Sequence, residues 1–320
     1  MDRRDFLKIS AAAVAAGSTV SPTSLAGNIS NAMESIPDGN YPCENVPAGE
    51  GDLHLKFLGT GAASGWDTDR SKRRYSSVLL DGRILIDLTD AALDMIPEGC
   101  SPKVVFYTHS HDDHYRPKVA LGLGITRVYV SETWADRARE DFRNAARELS
   151  GRVEIPEVVG LQLGRPVTEQ GLTFIPLPAN HLTSDIDEQT LIYVIEKGTT
   201  QTRTGVRLLY ATDTGGIMAK ASKLGWSKSR PLTGFIMEAT VGMGLEEDPR
   251  ILSHSTVELA ARTARMLRES GQYTPPEGQP PYATHMSSRG WARQKDLEFV
   301  FPRPLRPSYD GLEVTFRPVD

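Results

Sequence analysis

KVVFYTHSHDDHY, residues 103–115, joins a continuous apolar run to a dense set of potential ligands. Three of the chain's seven histidines and two aspartates fall within residues 109–114. An uninterrupted apolar run is the pattern of a strand buried on both faces, so the ligands begin where a buried strand ends. His109 and His111 stand two apart in an extended segment, which points both imidazoles the same way. Asp113 and His114 follow in what reads as a turn into RPKVALGLG. One strand end can therefore offer two nitrogens to one cation and a carboxylate with a nitrogen to another, a donor set that suits zinc.

Working outward, other candidates occupy similar places. His181 ends LTFIPLPAN, Asp213 ends VRLLYAT and His285 ends PYAT, so each follows a strand-like run, where loops carry chemistry on a rigid scaffold. The further runs LHLKFLG, SSVLLDGRILIDL, RVYVS, TLIYVIE and LTGFIME alternate with turns. Helical patterns fall at 132–149 and 256–270. The second has a start signal, the capping box Ser255-Thr-Val-Glu258, and Gly271 stands where a left-handed C-cap is expected. Residues 27–51 are rich in Gly, Pro, Ser and Asn without apolar periodicity and read as a linker, which leaves one folded domain over 52–320. His54, inside the first strand, reads as a satisfied edge histidine without a chemical role.

The chain has 320 residues and a formal charge of -5, which gives no broad basic field to draw long nucleic acid onto its surface. The first residues, MDRRDFLKISAAAVAAGSTVSPTSLAG, carry Arg3-Arg4, an Ala-rich apolar stretch and small residues at Ser24-Leu25-Ala26. Residues 1–26 resemble a twin-arginine export signal, which implies a periplasmic or secreted protein. The apolar stretch is shorter than the roughly 20 residues a membrane span takes, so no stable span is expected in the mature form. Cys43 and Cys100 could pair in an oxidising compartment, and spacing alone does not decide it.

The order HxHxDH, then a distant His, Asp and His, resembles the metallo-β-lactamase superfamily of metallohydrolases, over most of the chain after residue 52 and including FLGTGAASG at 57–65. That resemblance implies an α/β fold, an αββα four-layer sandwich with a dinuclear site at one edge of the two sheets. It assigns His109, His111 and His181 to a first metal, and Asp113, His114 and His285 to a second, with Asp213 bridging. The cofactors implied are two divalent ions, zinc first, with manganese or iron open. Two such ions roughly 3.5–4 Å apart bring the pKa of a shared water down to about 7. A closed zinc site that only staples the fold would hold four protein ligands and no open position. Seven candidates around two ions leave room for water.

FIMEATVGMG, SHSTVELAARTARML and YATHMSSRG are similar to the ribonuclease Z-like branch of phosphodiesterases. By that likeness Glu238 orients His254, and His254 protonates the leaving alkoxide, a step worth roughly 10²–10⁴-fold. His254 also precedes a helix whose free N–H groups can receive phosphate oxygens. Arg74, next to Arg73, and Ser287 are the candidates for substrate contact. GTGAASG reads as a tight turn or a phosphate cradle, although without a following Lys-Ser/Thr it is no P-loop. Met237 stands where the RNA-processing relatives show a His before the Glu, and no Gly/Pro-rich insertion resembles their tRNA-gripping arm. The expected substrate is thus a small or cyclic phosphodiester, with a homodimer left open. The alternatives are a lactonase or other ester or amide hydrolase, and a non-catalytic exported metal-binding protein.

Overall fold

The computed structural model describes residues 51–63, 73–149, 153–198, 205–287, 297–298 and 300–319. All of them fall in one compact unit, Pro47–Asp320. The signal segment, the linker up to residue 50, Cys43 and residues 64–65 of GTGAASG lie outside the described residues, and Cys100 is half-buried.

In chain order the elements are β1 (Leu53–Gly59), β2 (Ser77–Leu80), β3 (Ile84–Ile86), β4 (Val104–Phe106), α1 (Pro117–Leu123), β5 (Arg127–Ser131), α2 (Ala135–Glu148), β6 (Glu157–Leu161), β7 (Val167–Glu169), β8 (Leu172–Pro178), β9 (Leu191–Lys197), β10 (Val206–Ala211), α3 (Ala219–Gly225), β11 (Gly234–Glu238), α4 (Val257–Glu269), β12 (Tyr282–Thr284), β13 (Arg306–Pro307) and β14 (Glu313–Phe316). They form two mixed sheets, ordered β14-β1-β2-β3-β4-β5-β6 and β13-β12-β11-β10-β9-β8-β7.

Side-chain alternation explains the layering. Leu53, Leu55 and Phe57 of β1 and Val104 and Phe106 of β4 face Phe174, Tyr193, Leu208 and Ile236 of the other sheet in one buried cluster. The Phe106 ring stacks on Phe174 at 3.8 Å and on Tyr129 at 4.2 Å. The opposite faces are also apolar, as expected of strands buried on both sides. α1 and α2 cover the first sheet through Leu121, Ala138 and Phe142, while α3 and α4 cover the second through Ala221, Val257 and Ala260. The result is the expected αββα sandwich.

The two sheets are joined at the rim where the ligands lie. Leu191 N–H donates to the Thr108 carbonyl at 2.9 Å, and the Tyr193 hydroxyl donates to the Tyr107 carbonyl at 2.6 Å. Gly61 N–H donates to Arg74 O (2.7 Å), Ala62 N–H to Met286 O (3.2 Å) and Met286 N–H to Thr60 O (2.8 Å). These bonds make GTG a splice between β1 and the end of β12. The Gly61 and Ala62 amides are thereby taken by backbone carbonyls rather than left for a phosphate. A Cβ on Gly59 would lie 1.9 Å from the Tyr75 carbonyl oxygen, which accounts for glycine at that crossing.

Several expectations change. The helix at 256–270 begins one residue later than its capping box implied. Thr256 is the cap and accepts from Leu259 N–H at 3.1 Å, because Ser255 is drawn away, donating to Thr214 O at 2.6 Å and accepting from Gly216 N–H. Gly271 does take the left-handed conformation, with φ 73°. β1 is not an edge, since β14 pairs with it, and His54 meets Glu313 of β14 at 3.3 Å. α1, α3, β6, β7, β13 and β14 were not expected; each is short. β6 also contains Gly160, where a Cβ would press within 3.0 Å of Glu132 Cα.

Gly59→Ala should therefore destabilise the protein by about 2–3 kcal/mol, through an overpacked contact that backbone cannot yield. Gly122→Ala, exposed within α1 with nothing in 4 Å of its Cβ, should stabilise by about 0.5–1 kcal/mol. Thermal or denaturant unfolding of the two variants checks the contrast.

Candidate metal centre

β4, β8, β10 and β12 end at one rim of the sandwich, and a candidate ligand follows each. After β4 the chain bends at Thr108 and turns after His111, with His114 N–H and Tyr115 N–H both bonding the His111 carbonyl at 2.9 Å. That turn leaves the His114 ring against that of His109, 4.4 Å between centroids. The other sheet supplies His181, Asp213 and His285 from across the rim.

The structure brings all seven candidate ligands together at one rim, where their atoms cluster in several combinations, His109 with His114 and Asp213 among them. The ligand atoms of His109, His111 and His181 lie within 4.8 Å of one another, as do those of Asp113, His114 and His285. Within the first group, His111 Nδ1 is 2.9 Å from His109 Nε2 and 3.2 Å from His181 Nε2. Within the second, His114 Nε2 is 3.1 Å from His285 Nε2 and 3.4 Å from Asp113 Oδ2. Asp213 faces both: Oδ2 is 3.1 Å from His114 Nε2 and 3.2 Å from His285 Nε2, and Oδ1 is 3.9 Å from His181 Nε2. Zn–N bonds of about 2.0–2.1 Å would set neighbouring ligand atoms of a tetrahedral ion about 3.3 Å apart.

Outer hydrogen bonds show that these atoms are acceptors. His114 Nδ1 donates to Asp87 at 2.7 Å, and His181 Nδ1 to the Ser253 carbonyl at 3.1 Å. The Thr240 hydroxyl gives its proton to His285 O (2.8 Å), so at 2.7 Å it can only accept from His285 Nδ1. Thr108 likewise donates to Asp87 and accepts from His109 Nδ1 at 2.9 Å. These four imidazoles therefore turn an Nε2 lone pair inward, whereas His111 faces its neighbours through Nδ1. Asp213 Oδ2 is buried without a hydrogen-bond partner. Such a convergence requires positive charge between the atoms. A proton on His114 is one source: burial opposes it, but Asp213, Asp113 and Asp87 outweigh burial and raise that imidazolium well above the ordinary range. One proton satisfies few of these acceptors, whereas divalent ions suit them all, so the donor set fits the implied metals.

Sequence reasoning missed the residues that hold the ligands. Asp87 is fully buried just after β3, takes φ 57°, and also accepts from Thr108 N–H at 2.8 Å. Glu188 accepts from Ser110 N–H at 2.7 Å and Ser110 Oγ at 2.6 Å, between two ligand histidines, and Arg137 closes on Glu188, Ser110 and Asp185. Asp87 carried a usable signal, being an acid at a strand end like Asp213. Glu188 and Thr240 carried none.

His254 belongs to the same cluster: its ring nitrogen lies within 4.8 Å of ligand atoms of His181 and Asp213, and of Glu238 and His285. Its Nδ1 is 3.1 Å from Glu238 Oε1 and 3.7 Å from Asp213 Oδ1, and its ring is 4.8 Å from His181 and 6.1 Å from His285. Glu238 is buried and accepts backbone N–H groups from Thr214 and Thr240. Burial would lower the His254 imidazolium, yet Glu238, then Asp213 and Asp113, push it up to about 9. The helix start after it is not an open anion site: Val257 N–H is bonded to Gly242 O and Leu259 N–H to Thr256. Arg74 joins Asp94 and the Ala91 carbonyl instead of the ligands, so a substrate phosphate would compete with Asp94 for it. Ser287 is buried two residues after His285, and Met237 is buried in the core under α4.

Residues 92–274 match the model of the beta-lactamase superfamily domain, and residues 1–20 match the twin-arginine translocation signal. No curated protein sequence matches the chain. In fold it is similar to a diphosphatase described as from the PhnP family (TM-score 0.57, 20% identity, 83% of this chain and 98% of that one). It is also similar to a long-form RNase Z from yeast (0.54, 15%, 89% and 44%) and to unliganded yeast PDE1 (0.54, 10%, 83% and 99%). At these identities the likeness is one of fold. Among the described residues no helix is long and apolar enough to cross a membrane.

Asp87→Asn keeps the shape but loses the charge that orients His114. It should weaken metal binding about 10–100-fold, read by competition with a chromophoric chelator. Glu188→Gln should weaken the site of His109 and His111 more than the other.

Proposed function

The chain belongs to the beta-lactamase superfamily, and on that premise we propose that it is an exported, dinuclear metal-dependent phosphodiesterase acting on a small or cyclic phosphodiester. The observation that supports the choice of bond is the Glu238–His254 pair, 3.1 Å apart and next to Asp213. A hydrolase of activated esters has little use for a separate acid. An alkoxide leaves poorly without a proton.

In this reading His109, His111 and His181 hold one ion, Asp113, His114 and His285 the other, and Asp213 both. When bound, the ions lower the pKa of water and neutralise charge on the reacting oxygens. The chain's own residues do the rest. Glu238, fixed by two backbone N–H groups, takes the His254 Nδ1 proton in a hydrogen bond and keeps the ring charged. His254, only partly buried, is then the proton donor to the departing alkoxide. Asp87, Thr108, Thr240 and the Ser253 carbonyl keep the imidazoles in the tautomer that faces the ions. Residues 52–320 form the catalytic domain, the remainder after residues 1–26 acts in the periplasm or outside the cell, and zinc is the first choice of metal. A cavity of about 380 Å³ beside His181 favours a small substrate over long nucleic acid, as does the chain's acidity. That similar folds occur in a diphosphatase and an RNase Z agrees with phosphorus–oxygen chemistry.

Hydrolysis of bis-p-nitrophenyl phosphate should vanish on chelation and return with added zinc or manganese. His254→Ala should cost about 10²–10⁴-fold on phosphodiesters with alkoxide leaving groups and under about tenfold on p-nitrophenolate, which needs no acid. An equal loss on both removes His254 as the acid for the leaving group, and faster hydrolysis of lactones or carboxylic esters than of phosphodiesters moves the assignment to an ester or amide hydrolase. Absence of chelator-sensitive hydrolysis of any ester leaves a non-catalytic metal-binding protein.

A further inference from the structure

The loop between His181 and β9 carries apolar side chains in an unusual setting. Leu182 is 66% exposed and Ile186 81% exposed, and both line the cavity of about 380 Å³ that also touches His181. Met218, 39% exposed at the start of α3, lines the same cavity from the other side. Large apolar groups on a loose loop would fold inward over the core. This loop is held against that.

Its restraints are many. Asp185 N–H and the Asp185 carbonyl both bond Thr183 Oγ1, and Asp187 N–H bonds Asp185 Oδ1 at 3.1 Å. Gln189 N–H bonds Thr133 Oγ1 at 2.8 Å. Glu188 and Asp185 are tied to Arg137, whose guanidinium lies 5.4 Å from the Trp134 ring. Leu182 and Ile186 are therefore presented to solvent by a braced segment that begins at a candidate ligand. The charge is selective as well. Among the described lining residues none is Lys, Arg, Phe, Tyr or Trp, and Asp187 is exposed there, so the wall repels a second phosphate and, apart from the candidate ligand His181, offers no ring to stack a base.

We propose that this cavity is the subsite for an apolar, uncharged ester group of the substrate, an alkyl or acyl-bearing chain, and that Leu182, Ile186 and Met218 set that preference. The inference rests on the phosphodiesterase reading for the bond that is cleaved, and on the cavity alone for the group that is bound. It excludes nucleotides as the preferred substrates.

The test uses the full metal-loaded protein with p-nitrophenyl alkyl phosphodiesters from methyl to octyl, and a nucleoside p-nitrophenyl phosphodiester for comparison. kcat/KM should rise about two- to fourfold per methylene until the cavity is filled. Ile186→Asn and Leu182→Asn, at exposed positions that leave the core intact, should flatten this slope. Calorimetry with methyl and hexyl methylphosphonates reads binding without turnover, and hexyl should bind more tightly in wild type but not in Ile186→Asn. A flat slope with active hydrolysis, or a tenfold preference for the nucleoside ester, overturns the subsite and leaves the phosphodiesterase standing. Chain-length-dependent binding without hydrolysis does the reverse. If Ile186→Asn instead turns a dimer into a monomer on size-exclusion chromatography and the slope is unchanged, the surface is an interface between copies and the proposal fails.

Discussion

Everything at the rim depends on one electrostatic constraint: lone pairs from seven side chains point at one another at close range, and only positive charge between them makes that tolerable. The protein meets its side of the constraint before any cation arrives. Hydrogen bonds from the outer nitrogens fix four of the imidazoles, to Asp87, Thr108, Thr240 and the Ser253 carbonyl. Backbone strain is accepted at the same place. Asp87, Asp213 and His285 have φ of 57°, 47° and 51°, a region that costs of order 1–3 kcal/mol for a residue with a side chain. Such conformations persist because the strands before them and the bonds after them leave no alternative.

Because the ligands come from two sheets, their geometry is a matter of how the sheets are docked. His109, His111, Asp113 and His114 ride on β4, and the rest follow β8, β10 and β12. The Phe106–Phe174 stack, the Leu191–Thr108 and Tyr193–Tyr107 bonds and the GTG splice all lie along this seam. Farther from the rim, Glu169 of the edge strand β7 binds both Arg127 and Tyr129 of β5 at 2.8 Å, tying the two sheets together a second time. A packing defect in the seam thus reaches the ligand cage without touching a ligand, since close-packed interiors transmit displacement.

What could be read from the chain follows from which signals are local. The clustering of the strand-end candidates was legible because buried strands announce themselves as apolar runs and His or Asp immediately after one is conspicuous. The helix at 132–149 was legible except at its start, where 132–134 forms a 3₁₀ turn before α2. α1 escaped notice although Pro117 at its first position and Gly124 at its end are local signals, because its apolar pattern spans only seven residues. The displaced cap at Thr256 and the second carboxylate of the Ser110 loop, Glu188, could not have been read. Each depends on a partner far along the chain: Thr214 for Ser255, and Ser110 itself for Glu188.

The same distinction between local and distant partners separates the two acidic neighbours of His254. Asp213 and Glu238 both raise its imidazolium, yet on the proposed assignment they cannot do so equally once cations are present. Asp213, with Asp113, is a ligand and gives up most of its field to the ions. Glu238 is bonded to the Thr214 and Thr240 amides and stays outside the cage, so its charge remains available to His254. With cations in place Glu238 would be the carboxylate left to act on His254, so the rise of that imidazolium would be smaller than the one the three carboxylates produce together. The buried acid that ends β11 is in this sense what would allow a site filled with cations to keep a cationic histidine at its edge.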